Sequence, residues 1–303
     1  MEPIYPVGDA DLAAWCEAWN DDVSRLLPLA PADLLHEAAS LGVVERFAAG
    51  PRERPNAVGA VRRHFAFRQD TRVALDLHVR PDARGRGLGG SLFVHLLARA
   101  RSFGAGVIRA YAPEGDRAWD ALAARHSLQT VECDRFLLLD VDRTTTPVDT
   151  GVSALPLTSE RAGSEQEAWR LDREIHAGLN TSAPYVPETF AAWRERVLEA
   201  PGSGPGTVLV TRGADGGVAG ICALRVCAAQ PEIVYHVLTG VAESVRGQGH
   251  GLALKQAAIE LARELGARRL VADTSPANTG MLALNRRLGY TAVLDVRNLE
   301  GTP

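Results

Sequence analysis

A twelve-residue pattern occurs twice in this chain, and few folds can hold it twice. The first copy is Val79-Arg80-Pro81-Asp82-Ala83-Arg84-Gly85-Arg86-Gly87-Leu88-Gly89-Gly90, and the second is Val241-Ala242-Glu243-Ser244-Val245-Arg246-Gly247-Gln248-Gly249-His250-Gly251-Leu252. In each, an apolar run of strand character ends, a short turn follows, and an Arg-x-x-Gly-x-Gly element opens a helix. The similarity continues at the same offset of 162 residues. Leu92 matches Leu254, Ala100-Arg101 matches Ala262-Arg263, and Gly104-Ala105 matches Gly266-Ala267. Matches that run through the helix and past its end mean a duplicated domain, not a duplicated loop.

A chain of 303 residues has room for two such domains, expected at 1–143 and 152–303. The linker between them, 144–151, is polar and broken by Pro147 and Gly151. Hydrophobic residues make up 46% and charged residues 23%, so each half can bury a core. The net charge of −4 gives no reason to expect nucleic acid or an anionic membrane as partner. Cys16, Cys133, Cys222 and Cys227 form no C-x-x-C pair and lie at no metal-ligand spacing with histidines, so they read as structural and no metal is expected. With no apolar run of bilayer length and no secretory pattern at Met1–Tyr5, the expected compartment is the cytoplasm.

Periodicity gives the two halves the same order of elements. In the first, a strand at Ile4–Val7 precedes a helix capped by Asp9 or Asp11 and carrying Leu12, Trp15, Cys16 and Trp19. A helix from Pro31 is closed by Gly42, and strands follow at Val43–Phe47, Ala57–Phe67 and Thr71–Val79, the last two joined at Arg68-Gln69-Asp70. After the motif come a helix to Ala100, a strand at Val107–Tyr111, a helix around Trp119 and a strand at Arg135–Leu139. In the second half, Val152–Leu157 is a strand, Ser164 caps a helix, Pro184–Pro187 is a break, and Thr189–Leu198 is a helix. A hairpin at Val208–Val210 and Val218–Val226 leads to the strand Ile233–Val241. The apolar helix Leu252–Leu265, the strand Leu270–Ala272, the helix Asn278–Leu288 and the strand Thr291–Val296 complete it. Trp15, Trp19, Trp169 and Trp193 fall at core spacing in these helices.

A glycine-spaced turn that opens a helix leaves several backbone N–H groups without intrahelical partners, aimed at one spot. That is an anion site suited to phosphate, with Arg84 or Arg246 adding a cation at its entrance. A P-loop would end in Gly-Lys-Ser/Thr, which neither copy has. A dinucleotide turn, G-x-G-x-x-G, matches at Gly85, Gly87 and Gly90. It fails in the second copy, where Leu252 holds the third place, and no acid follows the next strand at Tyr111-Ala112.

Both copies resemble the coenzyme A-binding signature of the GCN5-related N-acetyltransferases, [Arg/Gln]-x-x-Gly-x-[Gly/Ala] after a strand ending in Val. In the second half, Asn278-x-x-Met281-x-x-x-Asn285-x-x-Leu288-Gly289-Tyr290 resembles that family's later conserved helix and its Leu-Gly-Phe/Tyr exit. The tandem arrangement is similar to that of the mycothiol synthase-like two-domain acetyltransferases. The resemblance implies an α/β chain of two GNAT-like domains, each a splayed, mostly antiparallel mixed sheet with helices on both faces and the splay between its fourth and fifth strands. Acetyl-CoA, or another short acyl-CoA, would lie in the splay. Its pantetheine arm would pair with the backbone of Leu77, His78 and Val79, or of Thr239, Gly240 and Val241. Its pyrophosphate would rest on Arg84, Gly85, Arg86, Gly87, Leu88, Gly89 and Gly90, or on Arg246, Gly247, Gln248, Gly249, His250, Gly251 and Leu252. Asn278 and Asn285 would also line the cofactor.

Many members place a tyrosine acid four residues before the Gly of Leu-Gly-Phe. The matching positions here are Asn285 and, in the first half, Ala123. Asn285 is expected to hydrogen-bond the departing sulfur. For a base, the second half offers Tyr235, His236 and Glu243, and the first half offers Asp76 and His78. Asp273 is expected to serve a cap or loop. Because His126-Ser127-Leu128 stands where Leu288-Gly289-Tyr290 stands, the first half has lost the later signature, and the second half is expected to carry the chemistry. The function implied is acetyl transfer to the amine of a small molecule. The alternatives are a protein N-acetyltransferase and a non-catalytic coenzyme A sensor.

Overall fold

The computed structural model describes residues 2–22, 26–41, 44–63, 71–143, 148–157, 163–179, 181–182 and 185–303. In chain order the elements are β1 (Ile4–Pro6), α1 (Leu12–Asn20), α2 (Pro31–Leu41), β2 (Val44–Ala49), β3 (Ala57–Arg62), β4 (Arg72–Val79), α3 (Leu88–Ser102), β5 (Val107–Pro113), α4 (Arg117–His126) and β6 (Gln129–Asp140). They continue with β7 (Ala154–Pro156), α5 (Ser164–Ala177), α6 (Phe190–Val197), β8 (Val208–Arg212), β9 (Val218–Val226), β10 (Ile233–Val241), α7 (His250–Glu264), β11 (Arg269–Thr274), α8 (Thr279–Arg287) and β12 (Thr291–Gly301). The expected stop at Gly42, the start at Val43, the turn at Arg68–Asp70, residues 144–147 of the linker and Pro184 lie outside the described residues.

The chain divides into two compact units. The first comprises Met1–Asp134, Ser182–Val186 and Leu294–Pro303; the second comprises Arg135–Thr181 and Pro187–Val293. In the first, β1 to β4 pair antiparallel in chain order, and β4 pairs parallel with β5. The sixth place beside β5 is filled by the C-terminal stretch of β12, from Val296↔Pro113 to Gly301↔Ile108. In the second unit β7 to β10 pair antiparallel, and β10 pairs parallel with β11. The sixth place beside β11 is filled by β6, from Arg269↔Asp140 to Thr274↔Arg135. The boundary of the units falls after Asp134, so the described residues 148–151 of the expected linker lie within the second unit, and the last strand of each sequence half completes the sheet of the other unit.

Alternation along the strands gives each sheet two buried faces. In the first unit, Val73, Leu75 and Leu77 pack with Leu92, Phe93 and Leu96 of α3, and Val58 and Ala60 pack with Trp15 and Trp19 of α1. The two indoles stack at 5.2 Å. In the second, Val234 and Leu224 meet Leu254 and Ala258 of α7, while Ile221 and Ala223 meet Leu171 of α5 and Trp193 of α6. Trp193 is fully buried, and its Nε1 donates to the carboxylate of Asp172 at 2.6 Å.

Helix starts follow capping chemistry, with three departures from expectation. Thr189, Asn278 and Asp116 cap α6, α8 and α4 with their side chains. Ser164 does not cap α5. It is the first helical residue behind Gly163 at φ +89, and its Oγ instead accepts from Arg212 at 3.1 Å. Asp11 sits at the start of α1, but its carboxylate takes Gly8 N–H and Arg52. The helix expected from Leu252 begins two residues earlier, at His250, because Gly249 supplies the left-handed turn.

Asp172 joins the two helices of the second unit's outer face. Its carboxylate takes Arg196 at 2.8 Å and His176 Nδ1 at 2.5 Å besides Trp193. Burial works against its charged form, but the hydrogen bond from His176 and the charge of Arg196 outweigh burial and lower its pKa. The stability this carboxylate contributes is therefore present above about pH 4 and lost as pH falls through its depressed value. Asp172→Ala, which leaves Arg196 and His176 without their buried partner, is expected to cost about 3–5 kcal/mol in urea unfolding near neutral pH. The gap between variant and wild type should narrow in acid.

Candidate active site

The two glycine turns have one backbone. Gly85 and Gly87 stand at φ +78 and +80, and Gly247 and Gly249 at +77 and +90, values that side-chain-bearing residues rarely adopt. Each turn is preceded by a short 3-10 turn, Pro81–Ala83 or Glu243–Val245. Each is braced alike: Arg86 donates to the Asp82 carbonyl and Gln248 to the Ser244 carbonyl, both at 2.9 Å. A Cβ at Gly85, Gly87 or Gly247 would meet no atom within 4 Å, so these faces are open to a ligand. The first-turn N–H groups of α3 and α7 point the same way. His250 and Leu88 are buried, so what they offer a phosphate is backbone. The His250 ring anchors α7 to β8 through Thr211 Oγ1 at 2.9 Å.

The entrance arginines differ. Arg84 turns back on its own unit, its Nε donating to the Val79 carbonyl at 3.1 Å and its Nη2 to Asp22 at 3.0 Å. The Val79 carbonyl is one of the groups expected to pair with a pantetheine arm. Asp22 also lies 3.8 Å from His78 Nδ1, and Asp21 holds Arg80 at 3.1 Å. Asp76, the other base candidate of this half, is bound to Arg62. The side chain of Arg246 is exposed and makes no hydrogen bond or ion pair among the described residues.

The splay is present in both units. β4 and β5 pair from Arg72↔Val107 to Leu75↔Ala110 and then diverge; β10 and β11 pair from Ile233↔Arg269 to Tyr235↔Val271 and then diverge. Only the second unit's fourth strand is irregular against its antiparallel neighbour, with a register shift between His236 and Leu238. This bulge puts Val237 and Leu238 together on the α5–α6 face. Gly240 then comes so close to α5 that a Cβ would lie 2.6 Å from Ile175.

Around the bulge the candidates separate by face. Tyr235 faces away from α7 and donates to Asp273, which lies on β11 and caps no helix. His236 faces α7, buried, with Nε2 2.8 Å from Tyr290 Oη and Nδ1 3.4 Å from both Cys222 Sγ and Thr239 Oγ1. Burial, reinforced by the charge of Lys255, holds this imidazole neutral well below its ordinary pKa. Tyr235 and His236 therefore do not act at one point. Glu243 lies in the exposed 3-10 turn after β10. Asn278 is committed to capping α8, its Oδ1 accepting from Met281 N–H at 3.1 Å. Asn285, inside α8, is fully buried, and neither its Oδ1 nor its Nδ2 has a partner. Such an amide is a group waiting for a ligand or a water. Two participants escaped sequence reasoning. Asp22, which neutralises Arg84, is far from it in the chain. Lys255 lies in an apolar helix, where its charge was the available signal.

No three described His, Cys, Asp or Glu side chains could hold a metal, and no described helix is long and apolar enough to cross a membrane. A splayed mixed sheet whose fourth strand leads through a glycine cradle into a helix is the arrangement that the resemblance to the GCN5-related N-acetyltransferases implies. Residues 168–290 match the model of the Acetyltransferase (GNAT) family. The chain is 27% identical to the Mycothiol acetyltransferase of Pseudarthrobacter chlorophenolicus, over 73% of this chain and 68% of that protein. Its fold is similar to that of a GCN5-related N-acetyltransferase from Sphaerobacter thermophilus, with a TM-score of 0.74 at 18% identity, covering 99% of this chain and 95% of that one. It is also similar to a tandem GNAT protein from the clavulanic acid biosynthesis pathway, with a TM-score of 0.75 at 17% identity, covering 100% and 98%. The family match thus lies almost wholly in the second unit, and the whole chain has the fold of tandem proteins of that family.

The enclosure of His236 has a direct readout. Its ring signals in two-dimensional NMR should not titrate between about pH 6 and 8. Tyr290→Phe removes the Nε2 partner, and a change in the tautomer signals of His236 is expected.

Proposed function

We propose that the second unit transfers the acetyl group of acetyl-CoA to the amine of a small molecule, and that the first unit does not turn over. The observation that carries this is the contrast between the two entrance arginines. Arg246 is left unpartnered at the mouth of its cradle, whereas Arg84 is consumed by Val79 and Asp22. The residues of the second unit fit the cofactor: the Gly247 face is open, and the unpartnered amide of Asn285 is buried in α8.

In this reading Arg246 and the backbone N–H groups of His250, Gly251 and Leu252 receive the pyrophosphate. The backbone of Thr239, Gly240 and Val241 pairs with the pantetheine arm, and Asn285 donates its amide hydrogen bond to the sulfur. The bound thioester supplies an activated acyl carbon. Tyr235 and Asp273, on the face away from α7, offer a hydroxyl and a carboxylate to an incoming ammonium. The His236–Tyr290 pair holds the bulge in place instead of taking the amine's proton. The relative named for mycothiol acetylation supports a small-molecule acceptor.

Gly249→Val combines a forbidden φ with a collision at Thr150, whose Cβ would lie 3.2 Å from the new Cβ. It is expected to lower acetyl-CoA affinity, read by calorimetry, and turnover, read by thiol release over a panel of small amines, each by about a hundredfold or more. If the matching Gly87→Val is the crippling change and Gly249→Val is not, the assignment of the units is reversed.

A further inference from the structure

Lys255 is a fully buried ammonium for which the fold has no structural need. The equivalent position of the first copy is Phe93, also fully buried and packed edge-on against Trp119. The site therefore accepts an apolar side chain, and burying a charge there is unfavourable without compensation. Among the described residues no carboxylate contacts the Lys255 ammonium. Its Nζ lies 5.2 Å from the centre of the Tyr290 ring.

The groups around it locate the charge. Cys222 reaches it from β9, where it is the register partner of Thr239 on β10, and Asp273 acts on it from β11. His236 of β10 also feels its charge, and Tyr290 follows α8. Lys255 thus sits against the ring of Tyr290, whose hydroxyl is 2.8 Å from His236 Nε2, and His236 is the first residue of β10 beyond the end of its ladder with β11. Asn285 shares this neighbourhood, since its carbonyl accepts the N–H of Tyr290 at 3.0 Å. An amide can hydrogen-bond a sulfur, but it cannot neutralise a negative charge on it.

Resting on the assignment of transfer to the second unit, we propose that the Lys255 ammonium is the fixed positive charge that stabilises the coenzyme A thiolate as it leaves. The carbon–nitrogen bond forms as the carbon–sulfur bond breaks, and the electron pair of the latter stays on sulfur. The acceptor ammonium loses one proton to solvent before it attacks and a second as the amide forms; the sulfur takes up one proton, so protons balance. Lys255 acts through its field from beneath the strand, as a positioning residue for charge. Burial, opposed by Cys222 and Asp273, lowers its pKa to about 8, which leaves it mostly protonated at neutral pH. Its contribution is lost as pH rises through that value. Cys222, His236 and Tyr290 stay uncharged there: burial raises the first and last and lowers the imidazole.

The test uses the full chain and coenzyme A labelled with 13C at the carbon bonded to sulfur. The bound thiol is titrated by NMR in wild type, Lys255→Met and Lys255→Arg. The thiol in wild type and Lys255→Arg is expected to ionise at least about one pH unit below that in Lys255→Met. With an amine substrate, Lys255→Met should lower kcat at least about tenfold with KM for acetyl-CoA changed less than about twofold. Lys255→Gln, also uncharged, should repeat the result if the methionine variant does not fold. Equal thiol titrations in wild type and the uncharged variants overturn the proposal. If that happens while Gly249→Val has lost the bound signal, the assignment of the second unit stands; a bound signal retained in Gly249→Val overturns both.

Discussion

The parallel ladder between β10 and β11 ends at Tyr235↔Val271, and the second unit is built around that ending. Beyond it the facing edges of two half-buried strand ends carry backbone donors and acceptors that no ladder pair joins. Buried backbone groups need partners. An extended ligand arm with its own amides can supply them as an added strand would. The bulge at His236–Leu238 belongs to the same region, since an extra residue bends the strand away from its neighbour. The glycine cradle follows because the strand must turn at once into α7, and two left-handed residues make the turn in the space available.

The duplicated backbone and the divergent side chains show which parts answer to folding and which to chemistry. Glycine torsions, 3-10 turns and the brace from the fourth residue on are shared. What differs is charge. The first copy closes its cradle arginine onto Asp22 and keeps an apolar layer under its regular fourth strand, including Leu75, Leu77 and Phe93. The second puts His236, Thr239, Lys255 and an unpartnered Asn285 in the corresponding layer. Polar groups in that layer cost stability, and a fold kept only for packing would favour the first arrangement.

Most of the fold was legible because its signals are local. Apolar spacing placed α3, α7 and the strands beside them, and the helices expected to open at Thr189 and Asn278 do so, with those two residues as their caps. Ser164 misled because a serine beside a glycine looks like a cap, while Gly163 already provides the turn. The cradles were legible for the same local reason. The state of each cradle was not, because Arg84 meets Asp22 only after folding. His236 and Tyr235 looked like neighbours in one site, but strand alternation sends them to opposite faces. Lys255 was readable as an oddity in an apolar helix, but its meaning depends on which strands diverge above it.

The exchange of β6 and β12 bears on the order in which the protein can be built. Leu294–Gly301, which closes the first unit beside β5, leaves the ribosome after the whole of the second unit has been made. Through most of synthesis the first unit therefore has an open strand edge at β5, the kind of edge that invites wrong pairing. The segment Arg135–Asp140, made early, likewise waits for its partner β11 until Arg269–Thr274 has been translated. The duplication that doubled the domain thus did not yield two modules that mature one after the other. Each half is finished only by a strand of its twin, so the two copies reach their final form as a single late event.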